Sequence, residues 1–180
     1  MRVIAGALGG RRLQAPPGRG TRPTSGRVRE AVFSTLGELA GEHVLDLFAG
    51  TGAMGIESLS RGAARAVFVE RDAAVAQILS GNLAALGLGA DVAEVRRLDV
   101  LAALRSARAA EETYDLLFID PPYRQASEWG PALQAVLQPL LRPGARVVVE
   151  SDRRAPLELA MDVERQKRYG DTSITIHLHT

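Results

Sequence analysis

The chain contains no cysteine, which removes disulfides, thiolate metal sites and cysteine nucleophiles together. Histidine is almost as scarce. His43, His177 and His179 are too few and too scattered for a metal centre, so no metal is expected. Lysine occurs once, at Lys167, against 21 arginines. Aromatic residues make up 4% of the chain, with a single tryptophan. No apolar run approaches the roughly 20 residues that a membrane helix needs, and no signal-peptide pattern follows Met1. These absences point to a soluble, cytoplasmic protein without a membrane partner.

What is there is a chain of 180 residues, 46% hydrophobic, long enough for one domain with a real core. Its net charge is only +1, but the charge is unevenly spread. The first 30 residues hold seven arginines and one acid, Glu30, whereas the rest hold 15 basic and 20 acidic residues. Residues 1–23 alternate short apolar pairs with glycine, proline and arginine, which suggests a small hairpin over Arg2–Gly6 and Gly10–Leu13 that takes no part in a core. A basic arm of this kind suits an anionic partner through guanidinium–phosphate contacts.

From residue 24 the pattern is regular. Thr24 or Ser25 offers an N-cap for a helix ending at Gly37. Apolar strands over His43–Phe48, Ala66–Glu70, Val92–Arg97, Tyr114–Ile119 and Arg146–Glu150 then alternate with helices over Ala53–Arg61, Asp72–Leu86, Val100–Ala109 and Trp129–Leu141. Five strands alternating with helices predict an α/β protein with a mostly parallel, doubly wound sheet. The tail, Leu159–Tyr169 and Thr172–Leu178 around Gly170-Asp171, reads as an antiparallel hairpin at or near a sheet edge.

The chemistry collects at the carboxyl ends of four successive strands, where open α/β sheets bind ligands. Gly50-Thr51-Gly52-Ala53-Met54-Gly55 is a literal G-x-G-x-x-G between strand and helix, and Glu70 ends the next strand. That satisfies a dinucleotide fingerprint, so an NAD-dependent oxidoreductase is one reading. Asp46, inside the first strand, argues against it, because a carboxylate repels a pyrophosphate and welcomes the ammonium and sulfonium of S-adenosylmethionine. Asp99 is placed to accept from an adenine amine or to cap the next helix. The fourth strand ends in Asp120-Pro121-Pro122-Tyr123. The prolines cannot donate hydrogen bonds, so a carboxylate, a carbonyl and an aromatic face suit a planar base bearing an exocyclic amine.

These motifs, with Arg22-Pro23-Thr24, Arg27-Val28-Arg29-Glu30 and Glu57-Ser58-Leu59-Ser60-Arg61-Gly62-Ala63, resemble those of the RsmD family of bacterial 16S rRNA guanine-N2 methyltransferases. Arg2–Gly6 and Gly10–Leu13 fit the resemblance too, so it covers essentially the whole chain. It implies a Rossmann-like class I methyltransferase fold, with a basic arm over residues 1–23 and one catalytic domain over 24–180. It implies S-adenosylmethionine as cofactor, held by Asp46, Phe48, Ala49, Gly50, Thr51, Gly52, Gly55, Glu70, Arg71, Asp99 and Val100. Asp120, Pro121, Pro122 and Tyr123 would be catalytic. Arg11, Arg12, Arg22, Thr24, Arg27 and Arg29 would meet RNA, with the 30S particle as partner of a monomeric enzyme. The tetrapeptide is shared with DNA adenine-N6 methyltransferases, which leaves that activity as an alternative. A non-catalytic RNA-binding assembly factor is a third, disfavoured by the intact Asp46, glycine loop and Asp120.

Overall fold

The computed structural model describes residues 1–16, 25–122 and 126–180, the side chains of 126–128 excepted. Helices and strands follow one another among the described residues: α1 (Gly26–Leu36), β1 (His43–Leu47), α2 (Ala53–Ser60), β2 (Arg65–Val69), α3 (Ala73–Leu86), β3 (Ala93–Arg96), α4 (Val100–Ala109), β4 (Tyr114–Ile119), α5 (Ala126–Leu137), β5 (Leu141–Asp152), β6 (Asp162–Tyr169) and β7 (Thr172–Leu178). The strands form one sheet in the order β3-β2-β1-β4-β5-β7-β6. The first five are parallel, and β7 pairs antiparallel with both β5 and β6. The expected α/β architecture with an antiparallel C-terminal hairpin is therefore what the chain adopts. No helix among the described residues is long and apolar enough to cross a membrane.

The central strands are buried on both sides, as their unbroken apolar runs require. One core packs α1, α2 and α3 against Val44, Phe68, Phe118 and Val148. The other packs α4 and α5 against Leu45, Val67, Leu117 and Val149. Local signals set the helix ends. Ser25 caps α1 by accepting from Val28 N–H, and Asp72 caps α3 by accepting from Ala74 and Val75. Gly87, left-handed at φ 72°, ends α3.

Three expectations are corrected. The fifth helix runs from Ala126 to Leu137, and β5 begins at Leu141 instead of Arg146. Pro139 has no N–H to extend the helix, so the chain tightens into a 3₁₀ turn over Gln138–Leu140 and enters the sheet early. The hairpin of residues 1–13 does pair, with Val3 N–H donating to Arg11 O and Gly10 N–H to Val3 O, but it is no loose arm. Val3 and Leu13 are buried in the first core. Nor is Arg29 a surface arginine; it is 3% exposed, donates through Nη2 to Arg2 O, and has Nε and Nη1 buried without a partner. Burial pushes its pKa down, against the charge of Glu57.

Candidate active site

The order of the sheet reverses between β1 and β4, the crevice where doubly wound sheets take ligands. In register, Leu47 of β1 lies opposite Val69 of β2 and Ile119 of β4. Glu70, Phe48 and Asp120 are the residues that leave these three strands. They stand side by side at the sheet edge, one strand spacing of about 4.8 Å apart.

The loop after β1 is held from beneath. Asp46 is 3% exposed, and its Oδ2 accepts from Gly55 N–H at 3.0 Å. Burial pushes its pKa up to about 7, opposed by the Gly55 N–H and helped by the charge of Glu70. The Glu70 carboxylate accepts from Gly50 N–H (3.0 Å) and Asp72 N–H (2.8 Å), tying the loop to the end of β2. Phe48 takes a left-handed backbone, φ 61°, which bulky residues rarely adopt. Its ring meets Trp129 of α5 edge-to-face, with centroids 5.0 Å apart.

The three glycines of the fingerprint do different jobs. A Cβ on Gly52 would lie 2.3 Å from Leu79 Cδ1, and one on Gly55 would lie 2.3 Å from Phe68 Cε1. Both are needed so that α2 can pack closely on its neighbours. A Cβ on Gly50 would meet nothing nearer than Phe48 O at 4.0 Å. Gly50 alone faces room that a ligand can fill, close to the carboxylates of Asp46 and Glu70. This fits S-adenosylmethionine, with the Asp46 carboxylate beneath for a cation and Glu70 beside for hydroxyl groups.

Ala49 is buried and donates its N–H to Val69 O. Thr51 is buried, its carbonyl accepting from Asn82 Nδ2 at 3.1 Å. Arg71 is exposed next to Glu70. Asp99 caps α4 through Leu101 N–H. The Val100 side chain belongs to the second core, so only its backbone can face a ligand. Asp120 is half-buried, Pro121 buried and Pro122 exposed. Arg11, Arg12 and Arg27 are exposed, Arg11 donating to Ala85 O. Tyr123, Arg22 and Thr24 lie outside the described residues. Arg29, buried under the hairpin, is not presented to an RNA.

Two residues that sequence reasoning passed over matter here. Trp129 walls the site through Phe48; its being the lone tryptophan in an aromatic-poor chain was the available signal. Asn82, 2% exposed on α3, accepts from Gln14 N–H and donates to Gln14 O and Thr51 O. It joins the hairpin to the glycine loop. An asparagine amid the apolar positions of α3 was its only trace.

A family model described as conserved hypothetical protein 95 matches residues 1–178. The ribosomal RNA small subunit methyltransferase D of Haemophilus influenzae is 35% identical over 162 residues, 87% of this chain and 81% of that protein. The chain belongs to the ribosomal RNA small subunit methyltransferase D family. YlbH of Bacillus subtilis is 38% identical over 98% of both chains. The solved structure of yhhF from Escherichia coli superposes with a TM-score of 0.83 at 33% identity, covering 99% of this chain and 97% of that one. The family likeness thus extends through the N-terminal hairpin as well as the sheet.

Proposed function

We propose that this chain methylates the exocyclic N2 of a guanine in 16S rRNA, acting as a cytoplasmic monomer on the assembled 30S particle. Its family makes it an S-adenosylmethionine-dependent rRNA methyltransferase. The target atom and the assembled particle go beyond what family membership supplies. The observation that carries the target atom is Asp120 leaving β4 beside the glycine loop, followed by two prolines; the assembled particle is what the family resemblance implies.

When bound, S-adenosylmethionine supplies a methyl group already activated on a sulfonium. The chain's own residues do the rest. Asp46 and Glu70 hold the loop; Asp46 would offer negative charge to the cofactor's cationic groups, and Glu70 would accept from its hydroxyl groups. Gly50 leaves the room. An aromatic amine is a poor nucleophile because its lone pair is delocalised into the ring. Asp120 and the Pro121 carbonyl accept hydrogen bonds from its two N–H groups, which turns that lone pair out of the ring and toward the methyl donor. Neither proline offers an N–H to compete. As the N–C bond forms at the expense of the donor's S–C bond, with the thioether as leaving group, Asp120 would take the proton released, directly or through water. Tyr123 is assigned the stacking face. Holding the two reactants in line supplies most of the acceleration.

The test is methyl transfer from labelled S-adenosylmethionine to naked 16S rRNA, 30S particles and duplex DNA, followed by nucleoside analysis. N2-methylguanosine from a ribosomal substrate is expected, with 30S particles outpacing naked rRNA. N6-methyladenine from DNA would overturn the proposal. Asp120→Ala is expected to lower transfer at least ~1000-fold, as general-base removal on top of lost positioning implies, while S-adenosylhomocysteine affinity stays within a few-fold of wild type. Normal turnover by that variant would remove Asp120 from the chemistry.

A further inference from the structure

The edge strand β6 is exposed along nearly its whole length. It reads Asp162-Val163-Glu164-Arg165-Gln166-Lys167-Arg168-Tyr169, with acids at one end and cations at the other. Its direction gives that order a meaning. β6 is antiparallel to β7, which is antiparallel to β5, so β6 runs parallel to β4 and β5. Tyr169 lies opposite Thr172, which lies opposite Asp152. The cationic end of β6 therefore sits at the carboxyl end of the sheet, on the same side as Asp120. Three strand spacings separate them, about 14 Å.

More positive charge converges on this corner. The turn carrying exposed Arg153 and Arg154 is held against the β6–β7 turn by Arg153 N–H donating to Asp171 O at 2.8 Å. On the α1 side, Arg165, Lys167 and Tyr169 line a shallow groove against Ala31, Val32 and Thr35, with Arg165 Nη1 3.5 Å from Thr35 Oγ1 across it, while Arg168 leaves the other face of the same strand end. Arg146 Nη1 donates to Leu36 O at the far end of α1, which sends the first turn of that helix, with exposed Arg27, toward the catalytic side. Among the described residues, Arg27, Arg153, Arg154, Lys167 and Arg168 make no ion pair. The acids of the corner are Asp152, Asp171 and the buried Glu150, which lies in register with Ile174 and through it with Lys167; Asp152 Oδ1 accepts from Arg154 N–H. Charge on an edge strand also deters edge-to-edge pairing. That role is indifferent to sign, so it does not explain why Asp162 and Glu164 are kept at the far end. Nor does it explain the cations at Arg153 and Arg154, which lie off the edge.

We propose that this corner, the α1–β6 groove together with the Arg153–Arg154 turn, is a second docking surface for the phosphate backbone of the substrate RNA. The proposal rests on the rRNA reading above and extends it. The N-terminal hairpin packs on α2 and α3, over the β1–β3 half of the sheet, and meets α1 where Arg29 Nη2 donates to Arg2 O. The β6 corner lies on the other half. RNA entering the site is thus gripped from both sides of Asp120, and Tyr169 offers an aromatic edge among the cations, as single-strand grooves do.

The test is binding of a labelled 16S rRNA fragment by fluorescence anisotropy across a salt series, with S-adenosylhomocysteine affinity and thermal midpoint measured alongside. Lys167→Ala/Arg168→Ala is expected to weaken RNA binding about tenfold at moderate salt. It should also lower the slope of log affinity against log salt by about one to two, because every phosphate left unneutralised takes about 0.7–0.9 from that slope. Cofactor affinity and midpoint should not move. Lys167→Arg/Arg168→Lys should restore binding, and Asp162→Asn/Glu164→Gln should stay within about twofold of wild type, since removing distant acids frees no phosphate site. An unchanged slope in the alanine variant, beside a lowered slope in Arg11→Ala/Arg12→Ala, would overturn this inference and leave the rRNA reading standing. No salt-dependent binding by wild type to either the fragment or 30S particles would bring down both. A loss seen with 30S particles but not with naked rRNA would assign the corner to a ribosomal protein and overturn the proposal.

Discussion

A carboxylate shut away from water is costly to keep ionised, and Asp46 is shut away almost completely. Its pKa, pushed up to about 7, stands above the value of about 3.9 expected in an unfolded chain. Between those two values the folded chain holds a proton that the unfolded chain has released. Stability therefore falls as pH rises from about 4 to about 7, at up to about 1.4 kcal/mol per pH unit, and levels off above. Asp46→Asn keeps an oxygen for Gly55 N–H and never ionises. Its melting temperature is expected to exceed wild type at about pH 8 and to match it near pH 4. The same group explains why a cost of this kind persists. A cationic ligand favours the ionised form, so S-adenosylmethionine affinity is expected to rise from about pH 6 to about pH 8 in wild type, with proton release in calorimetry. Asp46→Asn should bind about tenfold more weakly at the upper end of that range and show neither the rise nor the proton release.

Among the elements, the glycine loop separates packing from ligand binding within six residues. Gly55→Ala drives a methyl group into the Phe68 ring, and overpacking of this kind costs about 1–3 kcal/mol. Gly50→Ala meets no neighbour and incurs only left-handed backbone strain, about 1–2 kcal/mol. Chemical denaturation should therefore register the first chiefly as lost stability, whereas calorimetry should register the second chiefly as lost cofactor affinity. The literal fingerprint was legible in the sequence, and so was its place between strand and helix. The division of labour was not, because it depends on Leu79 and Phe68, which reach the loop from α3 and β2. The strand ends were legible for the same reason that the sheet was. Runs such as Leu116–Ile119 are buried on both faces, and polar residues that stop them, Glu70 and Asp120, mark the edge. Arg29 misled because its neighbours in sequence, Arg27 and Glu30, carry the look of a solvated helix face; only the hairpin folding back over α1 buries it.

At the scale of the whole molecule, the hairpin is part of the core's own wiring. Glu57, 0% exposed, accepts from Ile4 N–H (2.7 Å) and Ala5 N–H (3.0 Å) and pairs with Arg61. Ser60 Oγ accepts from Leu8 N–H, and Asn82 holds both ends of the Gln14 backbone. Removing residues 1–16 strips partners from each of these groups, at about 1–3 kcal/mol for every buried polar group left unpaired. Such a truncation is expected to lower the melting temperature by about ten degrees or more. It is also expected to weaken S-adenosylhomocysteine binding, because Asn82 loses the partners that steady its grip on the carbonyl of Thr51. A deletion that lost RNA affinity alone, with unchanged melting and cofactor binding, would show the hairpin to be an independent appendage.

The same contacts carry an order in time. Ile4 meets a carboxylate 53 residues further along the chain, and Gln14 an amide 68 residues further. A ribosome adds about 5–20 residues per second, so the hairpin is made seconds before either partner exists. Until α2 and α3 are folded, the hairpin has only α1 to close upon, where Arg29 donates to Arg2 O. The segment synthesised ahead of these helices thus cannot complete its contacts before they form.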